Sequence, residues 1–320
     1  MKSEKTLYVV VPCYKEEAVL PETSRRLKEK MTALMDAGKI AGDSRVLFVN
    51  DGSKDRTWEI IAGLHEADKL FSGVNLSRNR GHQNALLAGL TTAVRRADMI
   101  ISMDADLQDD IDAMDRMIDA YHEGYDVVYG VRSSRKTDTA FKRMTAEGFY
   151  KLMKALGVDI VFNHADYRLM SRRAVEGLMQ FDEVNIFLRG IVPQIGYSWT
   201  TVEYERAERF AGESKYPLKK MLAFALDGIT SFSIKPLRFI VFLGAVVFML
   251  SAVMLLWSLI ERVTGHVVSG WTSLMFSIWM LGGLQLLALG VIGEYIGKIY
   301  SEAKHRPRFI IEQVLDETEK

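Results

Sequence analysis

The sequence predicts an α/β protein: a mainly parallel sheet covered by helices on both faces, followed by a pair of membrane-spanning helices. Three observations predict it. Through the first 130 residues, short apolar runs alternate strictly with amphipathic helical patterns, the signature of strand-helix-strand units. A carboxylate pair, in Met103-Asp104-Ala105-Asp106-Leu107-Gln108, stands directly behind one of those apolar runs. Two stretches near the C-terminus, 239–260 and 267–293, contain no charged residue.

The apolar runs 7–11, 45–49, 74–76, 99–103 and 127–130 read as strands, and 22–35, 57–68, 83–96 and 112–122 as the helices between them. Region 141–204 mixes helix and strand, and 206–216 is rich in charge and glycine. In 218–232, Leu218, Met221, Leu222, Ala225 and Ile229 recur at helical spacing beside Lys219 and Lys220. This predicts a helix lying in a membrane interface, with a core-facing helix as the alternative. At about 1.5 Å per residue, each uncharged stretch can cross a hydrocarbon core of roughly 30 Å. Only Glu261-Arg262-Val263-Thr264-Gly265-His266 separates them, so together they predict a hairpin.

Lys235 and Arg238 precede the first span, and Lys298, Lys304, Arg306 and Arg308 follow the second. The positive-inside tendency therefore expects both ends of the hairpin, and the large N-terminal region, on the cytoplasmic side. No signal-peptide pattern precedes residue 7. The 41 basic residues balance 41 acidic ones, which gives no electrostatic reason to expect nucleic acid as a partner. Cys13 is the single cysteine, so an internal disulfide is excluded and a reducing compartment is expected.

In a parallel sheet, ligands sit beyond the C-terminal strand ends. Three polar segments fall there: Pro12-Cys13-Tyr14-Lys15-Glu16-Glu17, Asn50-Asp51-Gly52-Ser53, and the Asp-Ala-Asp. Two carboxylates two residues apart at such an end can share a divalent cation with a diphosphate, because hard cations prefer oxygen donors. A dinucleotide-binding domain would need a glycine cluster after the first strand, and none follows Val11. His82 and His164 read as hydrogen-bonding loop residues, since no zinc-site spacing accompanies them.

These three segments, together with Asp166-Tyr167-Arg168-Leu169 and Ala211-Gly212-Glu213-Ser214-Lys215-Tyr216, form an ordered set. The set resembles the family 2 glycosyltransferases of GT-A fold. More narrowly, it is similar to the polyprenyl-phosphate glycosyltransferases, such as the bactoprenol glucosyltransferases and, more distantly, dolichyl-phosphate mannose synthases. The resemblance covers nearly the whole chain. It implies a Rossmann-like nucleotide-diphospho-sugar transferase domain over 1–215, an interfacial helix over 216–235, two transmembrane helices over 236–300 and a cytoplasmic tail over 301–320.

The resemblance also implies roles. Pro12, Tyr14, Glu16 and Asp51 would surround base and ribose, although Asp51-Gly52-Ser53 is also a good turn signal. Asp104, with Ala105 beside it, would contact ribose or sugar. Asp106 would ligate Mg²⁺ or Mn²⁺, and Gln108 would reach the donor or the incoming phosphate. Arg132 would meet the nucleotide sugar's phosphates, and Arg168, Arg209 and Lys215 a lipid phosphate. Asp166 would act in catalysis as an orienting acceptor for a sugar hydroxyl or an arginine. Two departures stand out: Lys15 replaces the family's usual Asn, and Asp109-Asp110-Ile111 its usual Asp-Pro-Pro.

The reaction expected on this basis is inverting transfer of a hexose, glucose from UDP-glucose, to undecaprenyl or another polyprenyl phosphate. The enzyme would be a multi-pass protein of the cell inner membrane with its catalytic domain in the cytoplasm. A processive polysaccharide synthase is the rival enzyme, but its Gln-x-x-Arg-Trp motif is absent from the sequence. A non-catalytic membrane scaffold of the same fold is the rival from another class. Gly293 and Gly297, four apart, would permit close helix approach and hence a homo-oligomer.

Overall fold

The computed structural model describes residues 4–133, 164–184, 187–205, 235–264 and 270–316. They fall into two units. The first takes the described residues up to 205 and those from Arg306 onward, and the second those from Lys235 to His305.

The first unit is built on an eight-stranded sheet in the order β7-β5-β6-β4-β1-β2-β3-β8. Its first five strands in sequence are β1 (Leu7–Cys13), β2 (Arg45–Asn50), β3 (Phe71–Leu76), β4 (Met99–Ser102) and β5 (Val127–Arg132), followed by β6 (His164–Ser171), β7 (Trp199–Tyr204) and β8 (Ile311–Leu315). Between the early strands run α1 (Leu20–Asp36), α2 (Thr57–Ala67), α3 (His82–Ala93) and α4 (Ala113–His122); α5 (Arg172–Leu178) and the single turn α6 (Leu188–Ile191) come later. β1 is buried along its whole length, so its Leu-Tyr-Val-Val-Val run has no polar face to show. Its alternate residues Leu7, Val9 and Val11 join Leu27 and Met31 of α1 and Met114 and Met117 of α4 in one core cluster. α3 packs from the other side so closely that a Cβ on Gly89 would lie 2.3 Å from Val10 Cγ1 and 2.7 Å from Val49 Cγ2. Each such buried Val or Leu contributes roughly 1.5–3 kcal/mol.

The sheet is mainly parallel, as expected, with six of its eight strands running one way and two against them. β1 runs parallel to β2 and β4, β2 to β3, and β5 to β7. β6 is antiparallel to both its neighbours, β4 and β5, and β8 is antiparallel to β3. The reason is connectivity: β6 and β8 arrive from outside the regular strand-helix alternation and are not bound to its direction. β3 begins at Phe71, earlier than its apolar run implies, because the buried Ser72 and Gly73 interrupt the run without interrupting the ladder. The segment expected as a tail contains β8. It continues past the sheet in a Ser77 N–H to Ile310 carbonyl bond and an Arg96–Asp316 ion pair of 2.7 Å.

The second unit contains α7 (Lys235–Val263) and α8 (Trp271–Ala303), which cover most of the two expected spans. Their described side chains leave large apolar groups in the open, among them Phe239, Phe248, Trp257, Trp279 and Leu286. Among the described residues, Ser277–Ala303 is the stretch long and apolar enough to cross a membrane. The interfacial helix read at 218–232 lies outside the described residues.

Candidate active site

Register brings the polar strand ends together. Cys13 pairs with Asn50, and Met103 N–H donates to the Val10 carbonyl, so the loops after β1, β2 and β4 leave one edge of the sheet side by side. The first two are laced to each other. Lys15 N–H donates to Ser53 Oγ at 3.0 Å, Glu16 N–H to Thr57 Oγ1 at 3.1 Å, and Arg56 N–H to Glu17 Oε2 at 3.0 Å. Lys15 adopts φ +59°, a left-handed conformation that Asn accepts more readily than most residues, which explains the residue type usual there. Tyr14 is 45% exposed and presents its ring outward, with Lys15 Nζ 5.5 Å from the ring centroid. Pro12 is buried within β1 opposite Val49, so it shapes the strand end rather than lining an open surface.

Asp51 is buried, and both its carboxylate oxygens are engaged: they accept from Arg80 N–H at 2.6 Å and Gly81 N–H at 2.9 Å. Burial pushes its pKa up, against those two backbone bonds. The turn after it needs glycine twice over. Gly52 has φ +61°, and a Cβ there would lie 2.4 Å from the Arg78 carbonyl carbon. Asp51 thus pins the strap of residues 78–81 that delivers His82 to the start of α3.

The Asp-Ala-Asp loop is held from three directions. Thr23 Oγ1 donates to the Ala105 carbonyl at 2.8 Å, Gln108 N–H donates to Asp106 Oδ1 at 3.2 Å, and Tyr167 O–H donates to the Asp110 carbonyl at 3.0 Å. Leu107 between them has φ +58°. Beside this loop, β6 contributes Asp166 and Arg168. Ser102 Oγ donates to the Asp166 carbonyl at 2.6 Å, fixing the two strands at the site.

Asp166 is the hub of a charged cluster. Arg189 lays its guanidinium across the carboxylate, with Nε 3.2 Å from Oδ1 and Nη2 3.0 Å from Oδ2, while Arg168 Nη2 donates to Oδ1 at 3.2 Å. His82 Nε2 stands 3.6 Å from Asp104 Oδ1 and 3.7 Å from Asp166 Oδ2. Burial pushes the Asp166 carboxyl up, but Arg189 and Arg168 more than offset this and hold it well below the usual carboxylate range. Asp104 goes the other way. Burial raises it, and Asp166 and Asp106 add to the rise against the opposing pull of His82 and Arg189. Asp109, buried behind the loop, is pushed up to about 6 by burial and by Asp104. It accepts from Tyr204 O–H, whose own oxygen lies 3.5 Å from Arg132 Nε.

The expected residues therefore divide. Asp104, Ala105, Asp106, Gln108 and Asp166 come together at one place, with Tyr14, Glu16 and Asp51 on the loops of the same edge and Arg132 at the end of β5. Arg168, expected at a lipid phosphate, is only 1% exposed and lies against Asp166. The more accessible guanidinium at that carboxylate is Arg189, which is half-buried. Arg209 and Lys215 lie outside the described residues. Sequence reasoning passed over Arg189 and the Asp109–Tyr204 pair, and read His82 only as a hydrogen-bonding loop residue. His82 carried a signal, since it directly follows Gly81 at a strap between strand and helix, whereas Arg189 and Tyr204 sit in no motif.

No group of three or more His, Cys, Asp or Glu side chains that could hold a metal ion occurs among the described residues. The donor set nevertheless fits a divalent cation of the kind that takes one or two carboxylates and completes its shell with substrate phosphate oxygens. Asp104 and Asp106 supply that number, and a cation beside them would offset the burial and the neighbouring carboxylate charge that raise Asp104.

Residues 8–179 match the family model Glycosyl transferase family 2, and residues 235–299 match the model GtrB C-terminal hairpin. The chain is 55% identical to the uncharacterized glycosyltransferase YkoT of Bacillus subtilis (strain 168) over 97% of this chain and 92% of that one. It is 42% identical to the bactoprenol glucosyl transferase of Shigella phage SfV, over 95% of this chain and 97% of that one. To the prophage bactoprenol glucosyl transferase homolog of Escherichia coli (strain K12) it is 41% identical, over 96% and 98%.

Proposed function

The chain belongs to the family 2 glycosyltransferases, and from that premise we propose that it transfers a hexose from a nucleotide diphosphate sugar, glucose from UDP-glucose, to a polyprenyl phosphate such as undecaprenyl phosphate. One observation carries the reading. At the end of β4 an acidic pair, Asp104 and Asp106, adjoins a cationic group centred on Arg189, so one site offers surfaces for a cation-bridged diphosphate and for a second anion. The names of the Shigella phage and Escherichia coli relatives support the lipid acceptor.

Asp106, with Asp104 beside it, would hold a divalent cation, Mg²⁺ or Mn²⁺, which would supply positive charge for the leaving nucleoside diphosphate. The protein's own residues do the rest by placement. Tyr14 offers a ring face to the base, and Arg132 a charge to the donor phosphates. The acceptor phosphate, with a second pKa near 6, is already a nucleophilic dianion at neutral pH, so no side chain needs to take a proton from it. What remains is alignment of its oxygen with the anomeric carbon and relief of phosphate-phosphate repulsion. Direct displacement of this kind inverts the anomeric centre.

The domain reading follows: a cytoplasmic catalytic region over 1–215, an interfacial helix over 216–235, and a two-span hairpin over 236–300 in the inner membrane. The homo-oligomer suggested by Gly293 and Gly297 is testable by cross-linking in native membranes. The decisive experiment screens nucleotide sugars against the purified full chain with undecaprenyl phosphate, and determines the product's anomeric configuration. Turnover with UDP-glucose and an inverted product supports the reading. Equal turnover toward a short water-soluble sugar acceptor would remove the lipid phosphate from it.

A further inference from the structure

We propose that Arg189 is a phosphate ligand of the transfer reaction, and that Asp166 and Arg168 are positioning residues that hold its guanidinium in place. The inference rests on the glycosyl transfer proposed above and adds a residue that no motif supplied.

Three features of the fold lead to Arg189. Its position is fixed from both sides. Leu188 N–H donates to Gln83 Oε1 of α3 at 2.8 Å, Leu188 and Ile191 are buried, and the side chain is forked onto Asp166. An arginine loose in solvent would lose rotamer freedom on ordering itself on a phosphate, and here the protein has ordered it already. Arg168, buried in contact with the same carboxylate, shares the task of balancing Asp166. Counting Asp104, Asp106, Asp166, Arg168 and Arg189 gives a net charge of −1, which a divalent cation at the acidic pair turns to +1. Of the two guanidiniums, Arg189 is the one a ligand can reach, its side chain 36% exposed against 1% for Arg168. A half-buried, pre-ordered guanidinium beside the acidic pair suits a phosphate, which takes two of its N–H groups in parallel.

The same geometry gives Asp166 its task. A carboxylate with both oxygens engaged by guanidinium groups is a poor proton acceptor and a good clasp. Its effect on the reaction then passes through Arg189 and has no separate route.

The phosphate can belong to the sugar donor or to the lipid acceptor, and two titrations on the purified full chain distinguish them. One follows binding of labelled UDP-glucose without lipid, and the other follows transfer against undecaprenyl phosphate concentration. Arg189→Ala is expected to lower transfer by about 100-fold, with Arg189→Lys intermediate and the thermal unfolding temperature unchanged. Added guanidinium should restore part of the activity of Arg189→Ala. Loss confined to the lipid titration assigns the acceptor phosphate, and loss in donor binding assigns the diphosphate; either supports the proposal. Asp166→Asn should cost about as much as Arg189→Ala and add nothing in the double variant. Unchanged values in both titrations, or costs that multiply in the double variant, would overturn it. If the wild-type chain itself ignored polyprenyl phosphate, the lipid reading would fail while the donor titration still decided the role of Arg189.

Discussion

Tyr204 donates its phenolic O–H to Asp109 Oδ1 at 2.6 Å, joining β7 to the loop that carries the acidic pair. The other carboxylate oxygen is buried with no hydrogen-bond partner among the described residues. One half of Asp109 is satisfied, and the other faces the cost of burying negative charge.

This has a sign in pH. The Asp109 pKa is raised from 3.8 to about 6, so the folded state binds more protons than the unfolded one between those values. Stability from this residue is therefore greatest in acid and falls as pH rises through about 4 to 6. Asp109→Asn keeps an acceptor for Tyr204 and removes the charge. It should unfold at a higher temperature than wild type at pH 8, by the equivalent of about 1–3 kcal/mol, with the gap closing near pH 4. Thermal scans of the full chain in detergent at both pH values check this, and a gap that did not depend on pH would refute it.

Asp106→Asn should abolish turnover and leave the fold intact, because an amide oxygen can still accept from Gln108 N–H while the anionic donor is lost. Circular dichroism checks the fold, and assays with and without chelator check the turnover. Activity persisting in the variant or in excess chelator would exclude the metal. Asp104→Ala should weaken donor binding in the same titration.

Asp51→Ala leaves the Arg80 and Gly81 amides without their acceptor, at about 1–3 kcal/mol for an unsatisfied buried group. A lowered unfolding temperature and weakened nucleotide-sugar binding should appear together, since the strap that delivers His82 is released. A variant that loses binding at full stability would instead put Asp51 in direct contact with the nucleotide.

Gly89→Ala drives a methyl group into Val10 and Val49 at distances no real Cβ tolerates. We expect destabilisation of about 1–3 kcal/mol, with partial rescue by Val10→Ala. Thermal unfolding of the two single variants and the double variant gives the comparison.

The alternating first half was legible because strand and helix there are local patterns. A continuous apolar run such as Val9-Val10-Val11 and a spaced one such as Leu27, Met31 and Leu34 announce their structure within a few residues. The acidic pair was legible for the same reason, being a short motif at a strand end. β6 and β8 were not. β6 mixes His164, Asp166 and Arg168 into its run, and their placement depends on a sheet assembled elsewhere. Arg189 was hidden because its meaning lies in its distance from Asp166, 23 positions earlier. A cation in a short helix shows no pattern of its own.

The last strand of the sheet also has a place in time. β3 lies beside β2 on one side and waits on the other for β8, which follows α8 in the chain. During synthesis every other strand has emerged before the hairpin helices are made, whereas β8 comes only after them. Until then β3 exposes the backbone groups of an open edge, the feature through which sheets pair wrongly with other chains. Closing that edge is thus a late event, coupled by chain order to completion of the hairpin. A ribosome stalled before residue 311 would hold a catalytic sheet still one strand short.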